Sequence, residues 1–388
     1  SAEAFANGEV CYLLNGNQSD IHFYQEIGTD AYPTLDASKS VVYRCAPCIG
    51  TGSAYTNDAN NANRPHTFEN GFCTTCNAFE SATQNEEGYY EIDNAGKLYW
   101  FAGLVNGTLD GVTQNTAAHA KLTADLQLDG KNHTWASIGT ESKPYTGTMD
   151  GQNHHISDFY LKTSESYQGL FGACRNATIQ NMTVDGQLEI QGSTVTINSF
   201  GLIGRAEAGS ISNITSNLII TETDKAVDHV GGIVGSAVPN ENGVTIVNCT
   251  FGGSISIHTN KGCFGCIVGY TNEKTSIQNC INLGTLQGDQ DGTYLGGILG
   301  YVNNADFQGI QNCYNYGTIT GTGTKIGAII GYSKSNDYSK VVTNNYYLDS
   351  SCATGFGTEG TNRKGTATAK SAEAFANGEV CYLLNGNQ

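Results

Sequence analysis

The chain has 388 residues and a formal charge of −17, from 19 Lys and Arg against 36 Asp and Glu. That balance excludes nucleic acid as a partner, because nothing would neutralise the phosphates, and no Lys/Arg run marks a membrane-surface segment. Gly is abundant (49) and Pro scarce (5), with 21 Tyr and only 14% charged residues. Such a mixture suits many short strands joined by tight polar turns, and no apolar run in this segment reaches the length of a membrane span.

In chain order, residues 1–18 read SAEAFANGEVCYLLNGNQ, and residues 371–388 repeat them letter for letter. The offset, 371 − 1 = 370, is the expected period of a larger tandem array, with both ends reading as cuts through a longer chain. An engineered duplication is the alternative; either way 370 residues are the unit to interpret. Phe5, Val10, Leu13 and Leu14 predict that the segment forms a helical cap, the end of a preceding unit.

Residues 19–87 read as a Cys-rich junction. Cys45-Ala-Pro-Cys48 and Cys73-Thr-Thr-Cys76 are two CxxC pairs separated by 24 residues. Four thiolates brought together could hold a structural zinc tetrahedrally. Two disulfides are the alternative, which an extracellular setting favours. The segment between the pairs is so polar that some staple is expected. His66, alone between the pairs, reads as an ordinary loop residue.

Residues 88–168 read as a capping helix followed by irregular opening coils. NAGKLYWFAGLVNG places Leu98, Phe101, Ala102 and Val105 on one helical face, with Asn94 as N-cap and Gly107 as the stop. A helix there would close the end of a stack and block end-to-end strand pairing. Next, AKLTADLQL alternates Leu122, Ala124, Leu126 and Leu128, and a turn is expected at Asp150-Gly151. His154-His155 beyond it reads as a packed or surface pair rather than a metal site.

Residues 169–350 carry two ladders. A Gly–apolar–apolar–Gly signature ends at Gly172, Gly204, Gly235, Gly269, Gly300 and Gly331, with Cys266 and Ala328 replacing the first Gly in two of them; the steps are 32, 31, 34, 31 and 31 residues. In step with it, Ile179, Ile211, Ile246, Ile277, Ile310 and Val342 align in one column. Asn181, Asn213, Asn248, Asn279, Asn312 and Asn344 stand two places later, followed directly by Met182, Ile214, Cys249, Cys280, Cys313 and Asn345. Repeats of this length mark a stacked architecture. The Thr, Val and Ile content and the Gly corners favour strands over helical coils. The fold class is therefore mainly β, a β-solenoid of about 31-residue coils with short capping helices. With period-two alternation, Ile and Asn point the same way, so the Asn column, Asn213 and Asn248 included, is expected inside, hydrogen-bonded along the stack. Cys249, Cys280 and Cys313 are expected as small interior hydrophobes. Residues 351–388 read as the C-terminal cap and the start of the next unit.

These segments, GLFG, GGIVG and GGILG with QNCINLGT and QNCYNYGT between them, resemble the GLUG-motif repeat proteins of bacterial surfaces, of the gut-anaerobe type. GEVCYLLNG and GTDAYPTLD resemble segments that close such repeats. The resemblance covers the chain from about Gly88 onward plus its first forty residues. It implies a secreted, multi-domain setting at the bacterial cell surface. GLUG repeats also accompany IgA-cleaving metallopeptidases, but the zinc signature His-Glu-x-x-His is absent here, so the resemblance transfers no catalytic residue.

The remaining chemistry is sparse, and no enzyme is expected. Gly355-Phe-Gly357-Thr-Glu-Gly360 matches GxGxxG without a strand–helix context, and neither a P-loop nor a Gly-x-Ser-x-Gly elbow is present. Asp289-Gln-Asp291-Gly292 is a calcium candidate set against a solvated turn. Asp289 and Asp291, with Asp224 and the basic Lys225, are what a polysaccharide-cleaving face could use. The function expected is a structural unit of an extracellular filament or stalk, possessing neighbouring units as partners and adhesive to a glycan or host surface. The alternative is a carbohydrate-binding or carbohydrate-processing β-helix, with tyrosines such as Tyr314 and Tyr316 stacking on sugars.

Overall fold

The computed structural model describes every residue except 17, 47, 49–53, 63, 77, 192–196, 224–226, 240, 290, 304–305, 335–336, 358–364 and 387–388. The Asp224-Lys225 pair and the second half of the GxGxxG match lie outside the described residues. The chain divides into two units, Ser1–Glu80 and Ser81–Gln388.

The second unit is a parallel β-solenoid. Its longest strands, Thr148–Thr163, Ala177–Ile190 and Gly209–Glu222, stack in parallel. In later coils the same path breaks into short strands, such as Thr275–Gln278, Ile281–Asn282 and Thr285–Gly288. Residues repeated in sequence meet in register: Ile179 pairs with Ile211, Ile211 with Ile246, Ile246 with Ile277, Ile277 with Ile310 and Ile310 with Val342. A second sheet stacks Phe171, Ile203, Val234, Val268, Leu299 and Ile330. A third, four-stranded sheet runs from His229–Gly231 to Ile326–Gly327. Both apolar columns are buried, so each coil covers its neighbour's apolar surface. The glycine signature has a steric cause: a Cβ on Gly297 would lie 2.1 Å from the Ala328 carbonyl oxygen, and one on Gly300 2.4 Å from that of Gly269.

The asparagine column sits elsewhere than the alternation predicts. Asn181, Asn213, Asn248, Asn279, Asn312 and Asn344 all have left-handed backbones, φ between 52° and 57°. The left-handed residue turns the chain at a corner, so Ile at one side and Met, Ile or Cys at the other both point inward while Asn points out. Asn213, Asn248 and Asn279 are exposed. The stacking bonds exist, but at the surface: Asn213 Nδ2 donates to Asn181 Oδ1 (2.9 Å), Asn248 to Asn213 (3.1 Å) and Asn279 to Asn248 (3.1 Å). Asparagine is the non-glycine residue best suited to that conformation. The interior amides are different ones: Asn282 and Asn315 are fully buried, joined by a 2.5 Å bond, and Asn315 Nδ2 donates on to Ser351 Oγ at 3.1 Å. Cys249, Cys280 and Cys313 line the interior.

Near the start of this unit lies the helix Ala95–Asn106. Asn94 accepts from the Lys97 amide and Gly107 ends the helix at φ 70°. The helix is buried beyond a single face, Tyr99 and Leu104 included, because the opening coils wrap it with aromatic side chains. Tyr99 meets Trp135 edge-on at 4.9 Å, Phe101 meets Tyr145 at 6.1 Å and Tyr145 stacks on Phe171 at 6.0 Å. At the other end, Ala367–Lys370 pairs with Asn345–Leu348. The short helices Ala372–Ala376 and Glu379–Leu384 then pack Ala374 and Val380 on Tyr346.

The first unit has little regular structure. The same eighteen letters again form two short helices, Ala2–Ala6 and Glu9–Asn15. They are tied down by polar links: Gln25, fully buried, donates to the Phe5 carbonyl (2.7 Å), and Asn15 donates to that of Phe23 (2.8 Å). Asn57 bridges the Gln25 and Val41 carbonyls at 2.7 and 3.0 Å.

Candidate metal centre

Two small antiparallel ribbons build a thiol cluster in the first unit. Tyr43–Arg44 pairs with Tyr55–Thr56, and Cys45 continues that pairing through its amide to the Ala54 carbonyl. Farther on, Phe68–Glu69 pairs with Phe72–Cys73 around Asn70-Gly71, both with positive φ, the geometry of a type I′ hairpin. The hairpin folds the chain before it back toward Cys73 and Cys76.

The ligand atoms of Cys48, His66, Cys73 and Cys76 consequently lie within 4.8 Å of one another. Cys48 Sγ is 3.2 Å from Cys73 Sγ, and Cys76 Sγ is 3.5 Å from His66 Nδ1. The His66 ring is stacked on Phe68 at 5.5 Å. Cys48 and Cys73 are buried and His66 exposed. Of the four cysteines expected to act together, Cys45 stands outside this group and His66 takes the fourth place. Cys45 is committed to the first ribbon, whereas the hairpin delivers His66. The signal was present in the sequence as Asn-Gly between His66-Thr-Phe and Phe-Cys73, a turn that sets the two arms side by side.

The electrostatics suit a cation. Burial pushes the Cys73 thiol up, but the amides of Cys76 and Thr75, with His66 and Cys48, outweigh it and hold Cys73 at about 5. Cys48 is pushed the other way, first by its hydrogen bond to Cys73, then by burial and by its electrostatic interactions with Cys73 and Cys76. Two sulfurs 3.2 Å apart resist both being ionised, and a divalent ion between them would neutralise both. Tetrahedral ligands about 2.3 Å from zinc lie about 3.8 Å apart, so three sulfurs and one imidazole at these spacings fit that ion. No pair among these cysteines is bonded as a disulfide.

The other candidates separate. Asp289 Oδ2 is 2.8 Å from His258 Nδ1, and among the described residues no group of three metal-capable side chains includes Asp289 or Asp291. His154 pairs with Asp125 at 3.0 Å and His155 with Asp185 at 2.8 Å. Tyr314 and Tyr316 lie under Phe375 of the terminal helices, with ring centroids 5.6 and 5.1 Å away, and Tyr316 is still 40% exposed. A different aromatic group escaped sequence reasoning because its members fall on two columns. Tyr270, Tyr301 and Tyr332 stack along one sheet, with Tyr294 4.9 Å from Tyr332 and Lys325 4.9 Å above Tyr294.

The fold and this geometry can be set beside known proteins. No protein-family model matches the chain. Over 80% of its length it superposes on a solved structure from Bacteroides ovatus described as a "putative immunoglobulin A1 protease", covering 92% of that chain at TM-score 0.58 and 21% identity. That likeness is one of fold alone. By sequence, 236 residues are 27% identical to Halomucin of Haloquadratum walsbyi, 55% of this chain but only 2% of Halomucin. No helix among the described residues is long and apolar enough to cross a membrane.

Proposed function

We propose that the chain is a structural unit of an extracellular array, of the GLUG-repeat kind, in which 370-residue units follow one another as a filament or stalk at a bacterial surface. The observation that carries this reading is the duplication: the identical segments 370 residues apart adopt the same pair of short helices, Ala2–Ala6 with Glu9–Asn15 and Ala372–Ala376 with Glu379–Leu384. A likeness to a small fraction of a very long protein supports it. Each unit then runs from a Cys-rich junction (19–87) through capping helix and opening coils (88–168) and regular coils (169–350) to the shared cap (351–388). The protease name of the structural neighbour is not carried over, since the chain has no His-Glu-x-x-His. Electron microscopy of native material is expected to show rods with an axial repeat of one unit. Compact single-unit particles would refute the array.

In this reading Cys48, His66, Cys73 and Cys76 hold a structural zinc, which supplies the first unit with the cross-link its small core lacks. Mass spectrometry of the native protein should find one zinc per unit. A second reading, carbohydrate binding and with it adhesion, is favoured by the Tyr270–Tyr294–Tyr301–Tyr332 platform with Lys325. Glycan-array binding lost in Tyr301→Ala would support it, and no binding at all would leave a passive stalk.

A further inference from the structure

The duplicated helix pair buries opposite faces in its two copies. In the first, Gly8, Cys11 and Asn15 are buried, while Phe5, Leu13 and Leu14 are 45%, 58% and 40% exposed. In the second the pattern inverts. Ala374 and Val380 are buried, with Phe375, Leu383 and Leu384 packed beside them against Tyr346 and Tyr314. Meanwhile Gly378, Cys381 and Asn385 are exposed, and Tyr382 is 51% exposed. Because the sequences are identical, residue chemistry cannot cause the inversion; different neighbours do.

The two faces are separate on the helix. Gly8, Cys11 and Asn15, spaced three and four apart, form one stripe, and Val10, Leu13 and Leu14 form the other. Their hydrogen bonds also use different groups. In the first copy Asn15 Oδ1 accepts from the His22 and Phe23 amides at 3.1 and 3.0 Å, and the Phe5 and Ala6 carbonyls accept from Gln25. In the second, the Leu383 and Leu384 carbonyls accept from Asn344 Nδ2, both at 3.4 Å, and Asn385 makes none of the bonds of Asn15. The two sets share one acceptor, the Leu14/Leu384 carbonyl, which takes Gln18 Nε2 at 2.6 Å in the first copy and has a second lone pair for the Asn344 donor; the other atoms are distinct. Four of the large exposed apolar side chains of the whole protein, Phe5, Leu13, Leu14 and Tyr382, belong to these two half-covered pairs.

We infer that the helix pair is a two-faced joint, and that the exposed Gly378–Cys381–Asn385 face is the docking surface for a second copy of the start of the junction, residues 19–46. That occupant is the one the same face already holds in the first copy, through Phe23, Gln25, Ile27 and Val42. One pair would thereby clamp the last coil of one solenoid to the module that opens the next unit. The inference rests on the array reading and adds the identity of both surfaces.

Thiol labelling tests it. In the single 388-residue chain, Cys381 should alkylate rapidly and Cys11, which is fully buried, slowly. A tandem chain, in which residues 19–388 follow residue 388, contains an internal copy of the pair. Trypsin then yields one shared peptide, ending at Lys39 or its equivalent, from the first and the internal copies. The expected result is that this shared peptide labels at least about tenfold more slowly than the terminal copy. Rapid labelling of half of it would overturn the joint. Asn385→Ala at the internal copy should restore fast labelling there, while the same change in the single chain, where the side chain is exposed, leaves the labelling pattern unaltered. Failure of the array reading is separate: a native protein holding a single unit would remove the array, while the tandem chain would still report the joint, labelling reading the Cys-bearing face and hydrogen-exchange protection of the internal Ala372–Leu384 segment reading the face packed on Tyr346.

Discussion

The solenoid and the junction module solve the problem of stability in different ways. In the solenoid, like residues stack on like, and every interior coil gains apolar burial from two neighbours. Among its described residues the Ser1–Glu80 unit has no such stack, only two-stranded ribbons. Its buried apolar side chains among the described residues are Cys11, Val42, Cys48, Phe72 and Cys73, three of them thiols. Too small a core to fold on hydrophobic burial alone, it relies on discrete links: Gln25, Asn57 and Asn15 to main-chain groups, a Lys39–Asp30 ion pair at 2.6 Å, and the thiol–imidazole cluster. Repetition spreads stability over many equivalent contacts; the module concentrates it in a few.

The sharpest break of that contrast is metal removal. Structural zinc contributes about 10–16 kcal/mol in small zinc-binding peptides, so a strong chelator or Cys73→Ser is expected to unfold the module. Hydrogen exchange should then show lost protection across residues 43–79 and unchanged protection in the coils. Retention of protection in the module would refute the zinc.

Ile277→Ala probes the other side of the comparison. Ile277 is fully buried between Ile246 and Ile310, and truncation should cost about 2–5 kcal/mol of solenoid stability by denaturant titration. A cost below about 1 kcal/mol would mean that the columns are loosely packed.

Next in size is a pH effect inside the solenoid. His229 stacks on Tyr270 at 4.4 Å, and burial lowers its pKa from 6.5 to about 4. Around it, Cys263 faces it from the next strand, Asp228 precedes it with a pKa raised by burial, and Lys261 offsets part of that rise. With the folded value depressed, the contribution of the neutral imidazole is fully present above pH 6.5 and is lost as pH falls through 4. Between those limits the native chain should lose on the order of 2–3 kcal/mol more than His229→Gln. Equal acid sensitivity in both would sink this assignment.

How far the sequence could be read follows the same division. Repeats made the solenoid legible: the Ile column is an alignment before it is a structure, and Asn94 and Gly107 bracket their helix by local chemistry alone. What escaped depends on geometry that spacing does not encode. Period-two alternation assumes an extended strand, and one left-handed residue per coil moved the Asn column outside while Asn282 and Asn315 took the interior. The CxxC spacing suggested four equivalent thiols, but Cys45 is held in one ribbon and His66 is carried in by another. Trp135 and Tyr145 pack on the Ala95–Asn106 helix from coils that do not repeat, so no alignment pointed to them.

The smallest predicted effect tests the largest of those differences. Asn279 has φ 52° and an exposed side chain bonded to Asn248. Replacing it with Ala forces a Cβ into the left-handed region, at about 1–2 kcal/mol, and removes a hydrogen bond worth about 1 kcal/mol at most at such a site. Asn279→Gly loses the same bond but no longer strains the backbone, against an entropic cost of about 0.5–1 kcal/mol. At a left-handed surface corner, Gly should therefore be the milder substitution in a denaturant titration. Along an extended, inward-facing strand the order would reverse, because Ala fills space there and Gly adds only freedom to the unfolded chain. Ala proving milder than Gly would return the asparagine ladder to the interior.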